Sequence, residues 1–359
     1  MAAPIVSVER VPNDGIQPQI VVDGKGMAHL LYFAGDAKAG NLFYTRRENG
    51  SWRKPLRVNQ SDGSAIAIGT IRGGQLAIGA NGSVHVAWNG AKSLPDAPHK
   101  GAPMFYTRLN GQGTAFEAER DVMQFTEDLD GGGSVAADAK GNVYVVWHGH
   151  APDAPPGERG RAVYVAKSID HGGTFTRELA VNPEPTGTCG CCGLKAFAEG
   201  NGALYVLYRG AMEMVNRDEI LLVSNDGGQR FRNIFADPWR VGTCPMSSAS
   251  IVPGGERVFT AWETAGQVHL GIVKDGKVAR VTPPGPSGRR KHPAVALNRK
   301  GDILLVWTDG TGWQRGGALA WQLFDSTGKP AESGRQDGVP VWSFGAAYAK
   351  EDGNFVVLY

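Results

Sequence analysis

The chain has 359 residues, of which 51 are glycine. This is about twice the usual proportion, so the chain contains many tight turns. Lys and Arg total 37 against 35 Asp and Glu, and the resulting net charge of +2 argues against nucleic acid or an anionic membrane as a partner. No run of 18 apolar residues occurs, which predicts no membrane-spanning helix, and a hydrophobic content of 42% excludes a disordered chain.

The chain begins Met1-Ala2-Ala3-Pro4, without the basic and apolar segments of a signal peptide. Removal of a signal would leave such an end. We therefore expect an exported protein, periplasmic or secreted, with a cytoplasmic protein as the alternative. The first predicted element is a strand at residues 5–11.

One segment recurs seven times along the chain: a turn glycine, a short β-branched or aliphatic run, and an aromatic residue. The aromatic follows the glycine by six residues in six copies and by seven in the fifth, and successive copies are 46 to 61 residues apart. The glycines are Gly26, Gly82, Gly141, Gly202, Gly255, Gly301 and Gly353, and the aromatics are Tyr32, Trp88, Trp147, Tyr208, Trp262, Trp307 and Tyr359. Further short alternating strands flank each copy, and no segment shows a sustained helical period.

Four strands in a unit of about 50 residues are typical of a β-propeller blade, which needs neighbouring blades to bury both of its faces. The last unit has only two strands, at 346–349 and 354–359. We therefore predict an all-β chain that forms one propeller domain over residues 1–359. It would have seven four-stranded antiparallel blades, and the N-terminal strand would close the ring. A six-bladed ring with an extra hairpin is the alternative.

Two hairpins carry the same turn motif. Its residues are Ser168, Asp170, Gly172 and Phe175 in the first copy and Ser224, Asp226, Gly228 and Phe231 in the second. The motif resembles the Asp box (BNR repeat), Ser-x-Asp-x-Gly-x-Thr-Phe, of the sialidase-like propellers. The resemblance covers nearly the whole chain as architecture. It implies structural turns on the outer rim, in which Ser and Asp side chains bind backbone N–H groups and glycine adopts a positive φ.

The resemblance does not extend to sialidase chemistry. Sialidases combine an arginine triad that grips a carboxylate, a Tyr–Glu nucleophile pair and an acidic Asp, and their first arginine lies in a Phe-Arg-Ile-Pro motif. The nearest segment here, Thr70-Ile71-Arg72-Gly73, departs from that motif. Architecture alone therefore does not assign a sialidase activity.

The four cysteines fall in two segments that each open with Gly-Thr-Cys, 55 residues apart, which is one blade period. Cys189, Cys191 and Cys192 belong to the first segment and Cys244 to the second. Both segments precede the first strand of a blade, and first strands line the central channel of a propeller. We therefore expect Cys189 and Cys244 to be neighbours at one mouth of the channel, with Arg72 on the same rim.

Three interpretations of the cysteines stay open. Disulfides between Cys189 or Cys192 and Cys244 would staple two blades together. Closely spaced thiolates would instead bind zinc or copper, with His148 as a further ligand. A catalytic thiol is the third interpretation. No nucleotide or organic cofactor is indicated.

The residue after each repeated aromatic lies where a second strand meets its loop, and it is polar or charged in five consecutive blades. These residues are Asn89, His148, Arg209, Glu263 and Thr308. With His150 and Arg72, they suggest a catalytic site beside the cysteines, in which a histidine acts as ligand or general base and arginines orient an anion. Further loop residues that we expect to contact a substrate are Arg217, Arg290, His292 and Trp313.

The function that these features favour is a hydrolase or lyase acting on an anionic ester or glycoside, with a metal–thiolate and histidine site at one channel mouth. The substrate would be a small molecule or a glycan. A protein that binds copper or zinc without turnover is the first alternative. A glycan-binding propeller with disulfide-stapled blades is the second.

Overall fold

The computed structural model describes residues 4–183 and 186–359. Residues 1–3, which carry the prediction of a removed signal, lie outside the described residues. The regular secondary structure of the described part is almost entirely β-strand, with short 3₁₀ turns at Pro12–Asp14 and Ala80–Gly82. It contains no helix long and apolar enough to cross a membrane.

The strands follow one another along the chain, joined by tight turns and by long loops. In chain order they are β1 (Val6–Glu9), β2 (Ile16–Val22), β3 (Ala28–Asp36), β4 (Ala39–Glu48), β5 (Ser51–Trp52), β6 (Leu56–Arg57), β7 (Gln75–Ile78), β8 (Val84–Asn89), β9 (Met104–Arg108), β10 (Arg120–Asp121), β11 (Gly133–Ala137), β12 (Val143–His150), β13 (Arg161–Ser168), β14 (Leu179–Ala180), β15 (Lys195–Ala198), β16 (Leu204–Arg209), β17 (Glu219–Ser224), β18 (Arg232–Asp237), β19 (Ser250–Gly254), β20 (Arg257–Thr264), β21 (Gln267–Lys274), β22 (Lys277–Val281), β23 (Arg290–Leu297), β24 (Ile303–Asp309), β25 (Gly317–Phe324), β26 (Pro330–Val339), β27 (Ala346–Ala349) and β28 (Phe355–Leu358).

These strands form seven sheets, which are the seven blades of a propeller. In six of them consecutive strands pair antiparallel; these sheets are β2–β5, β7–β10, β11–β14, β15–β18, β19–β22 and β23–β26, and β6 also pairs with β4. The inner strands of the seven blades surround a central channel with a volume of about 830 Å³. The prediction of seven blades is confirmed, and the six-bladed alternative is excluded.

The seventh blade is completed by the N-terminal strand, as predicted. It has three strands rather than four, because β27 pairs antiparallel with β28 and β1 then adds to the far side of β28. Strand β1 runs parallel to β28, with Val6 opposite Phe355 and Glu9 opposite Leu358. This pairing covers a sheet edge that would otherwise be open and joins the two ends of the chain.

The repeated glycine and aromatic have the same structural role in every blade. All seven glycines adopt a positive φ, between 68° and 101°, in the turn between the first and second strands. Such a turn favours glycine because a Cβ would be strained there. Six of the aromatics lie within the second strands and Tyr359 lies just beyond one, and all seven are at most 7% exposed. They pack between blades: one cluster joins Leu31 of the first blade to Leu76 and Trp88 of the second.

The two motif hairpins share one hydrogen-bond pattern. The Ser168 hydroxyl donates to Asp170 (2.6 Å) and accepts from the Gly172 N–H (2.9 Å), while Asp170 accepts from the Thr174 N–H (2.8 Å). Ser224 and Asp226 repeat these contacts. Both hairpins connect the third strand of a blade to its fourth. This places them at the outer rim, at the opposite end of the blades from the cysteine loop.

Candidate functional site

One end of the channel collects the side chains that the sequence singled out. First and second strands of a blade are antiparallel, so the loop entering a first strand lies beside the end of the second strand. Cys189–Cys192 precede β15, His148 and His150 end β12, and Arg209 ends β16. We call this end the cysteine mouth.

Three cysteines converge at the cysteine mouth. The Cys189 sulfur lies 3.3 Å from that of Cys191 and 3.5 Å from that of Cys192, and all three sulfurs lie within 4.8 Å of one another. Cys189 and Cys192 are fully buried, whereas Cys191 is partly exposed. The sulfurs are too far apart for disulfides, whose S–S bond is about 2.05 Å. Among the described residues all four cysteines are free thiols.

Hydrogen bonds and a buried cation concentrate negative charge on one of these sulfurs. Burial opposes ionisation of Cys192. Nevertheless, contacts with Cys189 and Cys191, and the charge of Arg209, hold the pKa of Cys192 well below its usual range. The pKa of Cys191 is raised by its contacts with the other two thiols and by burial. Cys192 is therefore the first thiol of the cluster to ionise, and its thiolate accepts hydrogen bonds from the thiols of Cys189 and Cys191.

Cys244 does not join this cluster. It is exposed and follows a segment held outward by a hydrogen bond from the Val241 N–H to the Val215 carbonyl (2.8 Å). Cys189 is instead held inward, because its N–H donates to the Arg209 carbonyl (2.9 Å). The common Gly-Thr-Cys sequence thus leads to two different placements.

Two buried histidines lie close to the cysteines. His148 is fully buried, and neither ring nitrogen has a hydrogen-bond partner among the described residues. Burial lowers its pKa to about 3, an effect that the nearby charge of Cys192 opposes. His292 is also buried and has a pKa of about 3 for the same reasons, but its Nδ1 lies 3.2 Å from the Ser248 hydroxyl. Both imidazoles are neutral, the form that binds metal ions.

His150 has a different environment from His148. Its Nε2–H donates to the carbonyl of Gly157 (2.7 Å), and its backbone bridges to Glu127. His150 therefore fastens the long loop after β12, and its Nδ1 has no partner in the part of the chain that the structure describes.

Arg209 lies buried behind the cysteines rather than on the rim. Its side chain is 2% exposed, pairs with Glu219 at 2.9 Å and donates to the carbonyls of Arg217 and Glu263. Burial raises the pKa of Glu219 to about 8, although the charge of Arg209 opposes this shift. Arg209 therefore acts on Cys192 through its charge, and its side chain has almost no surface exposed at the channel mouth.

Glu263 is equally buried, at 1% exposure, and burial raises its pKa. One carboxylate oxygen accepts from the Gly266 N–H (2.8 Å), and the other has no partner among the described residues. Arg217, 4% exposed, pairs with Glu158 at 2.6 Å and lies within electrostatic reach of Cys189.

Arg72 reaches the cysteine mouth through an ion cluster that the sequence analysis missed. It donates to Asp130 (2.6 Å), and Arg161 lies 3.7 Å from the other oxygen of that carboxylate. Asn89 fixes the same loop, because its amide donates to the carbonyls of Asp130 and Gly131. The sequence contains a sign of this ion pair. Arg72 and Asp130 are each followed by two glycines and then by the first strand of a blade, and the two blades are neighbours.

An aromatic pair lies on the same face. Trp313 is 57% exposed and meets Trp342 edge to face, with ring centroids 4.7 Å apart. Gly69 lies between Arg72, Trp313 and Met246, so these side chains border one surface. Arg290 instead makes contacts within the protein. It donates to the Gln267 side chain and the Pro284 carbonyl, and its guanidinium lies over the Trp307 ring.

The similarity to known proteins lies in structure rather than in sequence. No family model matches the chain, and no curated protein matches it significantly. An α-L-arabinanase of Penicillium chrysogenum superposes with a TM-score of 0.58 at 14% identity, over 91% of this chain and 99% of the other. A Hadza microbial sialidase gives 0.55 at 13% identity over 87% and 69%. A polysaccharide lyase, an ulvan lyase, gives 0.51 at 12% identity over 89% and 83%. The chain therefore has the sialidase-like β-propeller fold.

Proposed function

We propose that this protein is a hydrolase or lyase that acts on an anionic glycan or ester, with a metal ion bound at the cysteine mouth. The observation that carries the proposal is the convergence of three thiols within electrostatic reach of His148, a buried histidine with no hydrogen-bond partner among the described residues. A buried polar group without a partner costs roughly 1–3 kcal/mol. Metal coordination by His148 would remove that cost.

The spacing of the sulfurs suits one soft metal ion. A tetrahedral ion with metal–sulfur distances of about 2.3 Å places its sulfurs about 3.8 Å apart. The separations of 3.3 and 3.5 Å require an expansion of about 0.5 Å or less. Thiolate and imidazole donors suit zinc and copper(I), and we assign Cys189, Cys191, Cys192 and His148 as the ligand set. His292 is the alternative imidazole.

The surroundings provide groups for an anionic substrate. Arg72, with its side chain 22% exposed, would bind a carboxylate or sulfate, and the open face of Trp313 would pack on a sugar ring. The four-ligand site is closed, so a bound metal would supply Lewis acidity when the substrate displaces His148. Glu263, with a raised pKa and one carboxylate oxygen that has no partner among the described residues, would transfer a proton to or from the reacting substrate. Arg209 would hold negative charge on Cys192 from behind.

The folds of the structural neighbours support a glycan as substrate, because the similar structures include proteins named sialidase, arabinanase and ulvan lyase. Turnover is tested with zinc- or copper-loaded protein on sialylated, arabinan and uronate-containing glycans. Released reducing ends report hydrolysis, and ultraviolet absorbance of an unsaturated product reports elimination. We expect Cys192→Ser to abolish turnover and Cys244→Ser, the matched control, to keep it. Equal turnover in both variants, or none in wild type on any substrate, contradicts the proposal.

Non-catalytic metal binding is the second candidate, and one observation favours it. Two of the three sulfurs are at most 1% exposed, as in closed structural metal sites. Stoichiometric metal without turnover would select this candidate. The disulfide-stapled lectin has no geometric support, because all four cysteines are free thiols in the described structure.

A further inference from the structure

Lys195 places a positive charge inside the central channel. It lies on β15 in the fourth blade, and its ammonium donates to Gln19 of the first blade (2.8 Å) and Gln75 of the second (2.7 Å). Three blade steps separate the fourth blade from the first in a ring of seven, so this side chain crosses the channel. Lys195, Gln19 and Gln75 together connect opposite walls of the channel, and we call these three residues the bar.

The three residues occupy the same level of the channel. Each lies opposite the residue that precedes the repeated aromatic: Gln19 faces Leu31, Gln75 faces Ala87, and Lys195 faces Leu207. The four other blades have small residues at this level, and they are Ser134, Ser250, Ala294 and Ala346. The bar therefore adjoins open volume on the remaining side of the ring.

No anionic side chain among the described residues compensates this ammonium. In the part of the channel lining that the structure describes, the only other charged residues are Asp23 and Lys25, in the turn at the far end. The Asp23 carboxylate is occupied by the backbone N–H groups of Lys25 and Met27 and by His29. Burial alone lowers the pKa of Lys195 to about 8, which agrees with an ammonium that has no nearby carboxylate.

The ammonium and the two glutamines retain N–H donors for which the described residues supply no acceptor. An ammonium has three N–H bonds, and the two glutamines use two of them. Each glutamine directs its side-chain oxygen to the ammonium, because the opposite amide orientation would place its –NH₂ donor against the N–H donors of Lys195. This leaves both amide –NH₂ groups as donors, and neither has a partner among the described residues.

We propose that Lys195, Gln19 and Gln75 form an anion-binding site in the channel, for a small inorganic anion or the carboxylate of a sugar acid. The two sources share the same chemistry: an acceptor-only group that takes one ammonium and two amide donors. The channel volume admits either. The site is independent of the cysteines, so it stands whether or not the proposed function does.

Bromide soaked into crystals of the wild-type protein tests the site without a variant, because its anomalous signal locates it. We expect a peak beside the Lys195 Nζ, at hydrogen-bond distance from both glutamine amides. Absence of a peak there, with bromide bound elsewhere, overturns the proposal.

Thermal unfolding at constant ionic strength gives a second test. Bromide or glucuronate at ten times its dissociation constant should raise the wild-type Tm by about 1–2 °C. Lys195→Met, which keeps the length of the side chain, should lose this rise. Lys274→Met, an exposed control, should keep it. An equal rise in all three proteins overturns the proposal. A rise with bromide alone assigns an inorganic anion, and a rise with glucuronate at lower concentration assigns the sugar acid.

Discussion

Replacement of Arg209 by methionine tests the buried ion pair behind the cysteines. The side chains of Arg209 and Glu219 are 2% and 3% exposed and lie 2.9 Å apart. Arg209 also satisfies the carbonyls of Arg217 and Glu263. Methionine fills the volume of the stem but leaves a buried carboxyl and two carbonyls without a donor. Breaking a buried pair from one side costs about 3–5 kcal/mol. We expect the lower end, about 3 kcal/mol, because a protonated Glu219 avoids a buried charge.

Urea unfolding of the two single variants and the double variant measures the pair directly. Glu219→Gln keeps a hydrogen-bond acceptor for Arg209, so we expect it to cost less than Arg209→Met. In the double variant no carboxylate is stranded, and the coupling energy should be about 2 kcal/mol. Additive effects, or a loss below about 1 kcal/mol in Arg209→Met, would refute the buried pair.

Three further predictions follow from single contacts. Ser168→Ala removes a buried hydroxyl that bonds Asp170 and the Gly172 N–H, so the free energy of unfolding should fall by about 1–3 kcal/mol, while the exposed Ser51→Ala should change little. The hydrogen bond that His99 donates to Asp121 raises the pKa of His99 above 6.5, so this contact stabilises the protein fully below pH 6.5 and is lost as pH rises. The loss of unfolding free energy in His99→Gln should therefore be greater at acidic than at alkaline pH, and a pH-independent loss would refute this. Trp313→Ala should weaken glycan binding about tenfold without lowering the Tm, because the ring is 57% exposed; unchanged affinity in a titration would count against its role.

The architecture could be predicted from the sequence because the propeller repeats its packing unit. Every blade needs a positive-φ turn and a buried aromatic, so the spacing of the glycines and aromatics revealed seven blades and the closing strand. The parallel pairing of β1 with β28 could not be foreseen, since the alternation of a short strand is the same in either direction.

The site was only partly predictable. Register in the repeat predicted Cys189, Cys191 and Cys192 at one mouth, where their sulfurs lie within 4.8 Å of one another, and His148 lies buried within electrostatic reach of Cys192. The same reasoning placed Cys244 with them, yet hydrogen bonds of the loop hold Cys244 at the surface. Arg209 gave no sign of burial, because its partner Glu219 lies on another strand. Loop conformation and ion pairing depend on tertiary contacts that repeat spacing does not encode.

Metal analysis of the purified protein tests the central claim most directly. Elemental analysis and X-ray absorption would be measured on wild type, Cys192→Ser and Cys244→Ser after exhaustive dialysis. We predict about one zinc or copper per chain in wild type and Cys244→Ser, with metal–sulfur distances near 2.3 Å, and little metal in Cys192→Ser. Dialysed wild-type protein that neither holds nor takes up either metal, or metal content unchanged in Cys192→Ser, would contradict the account.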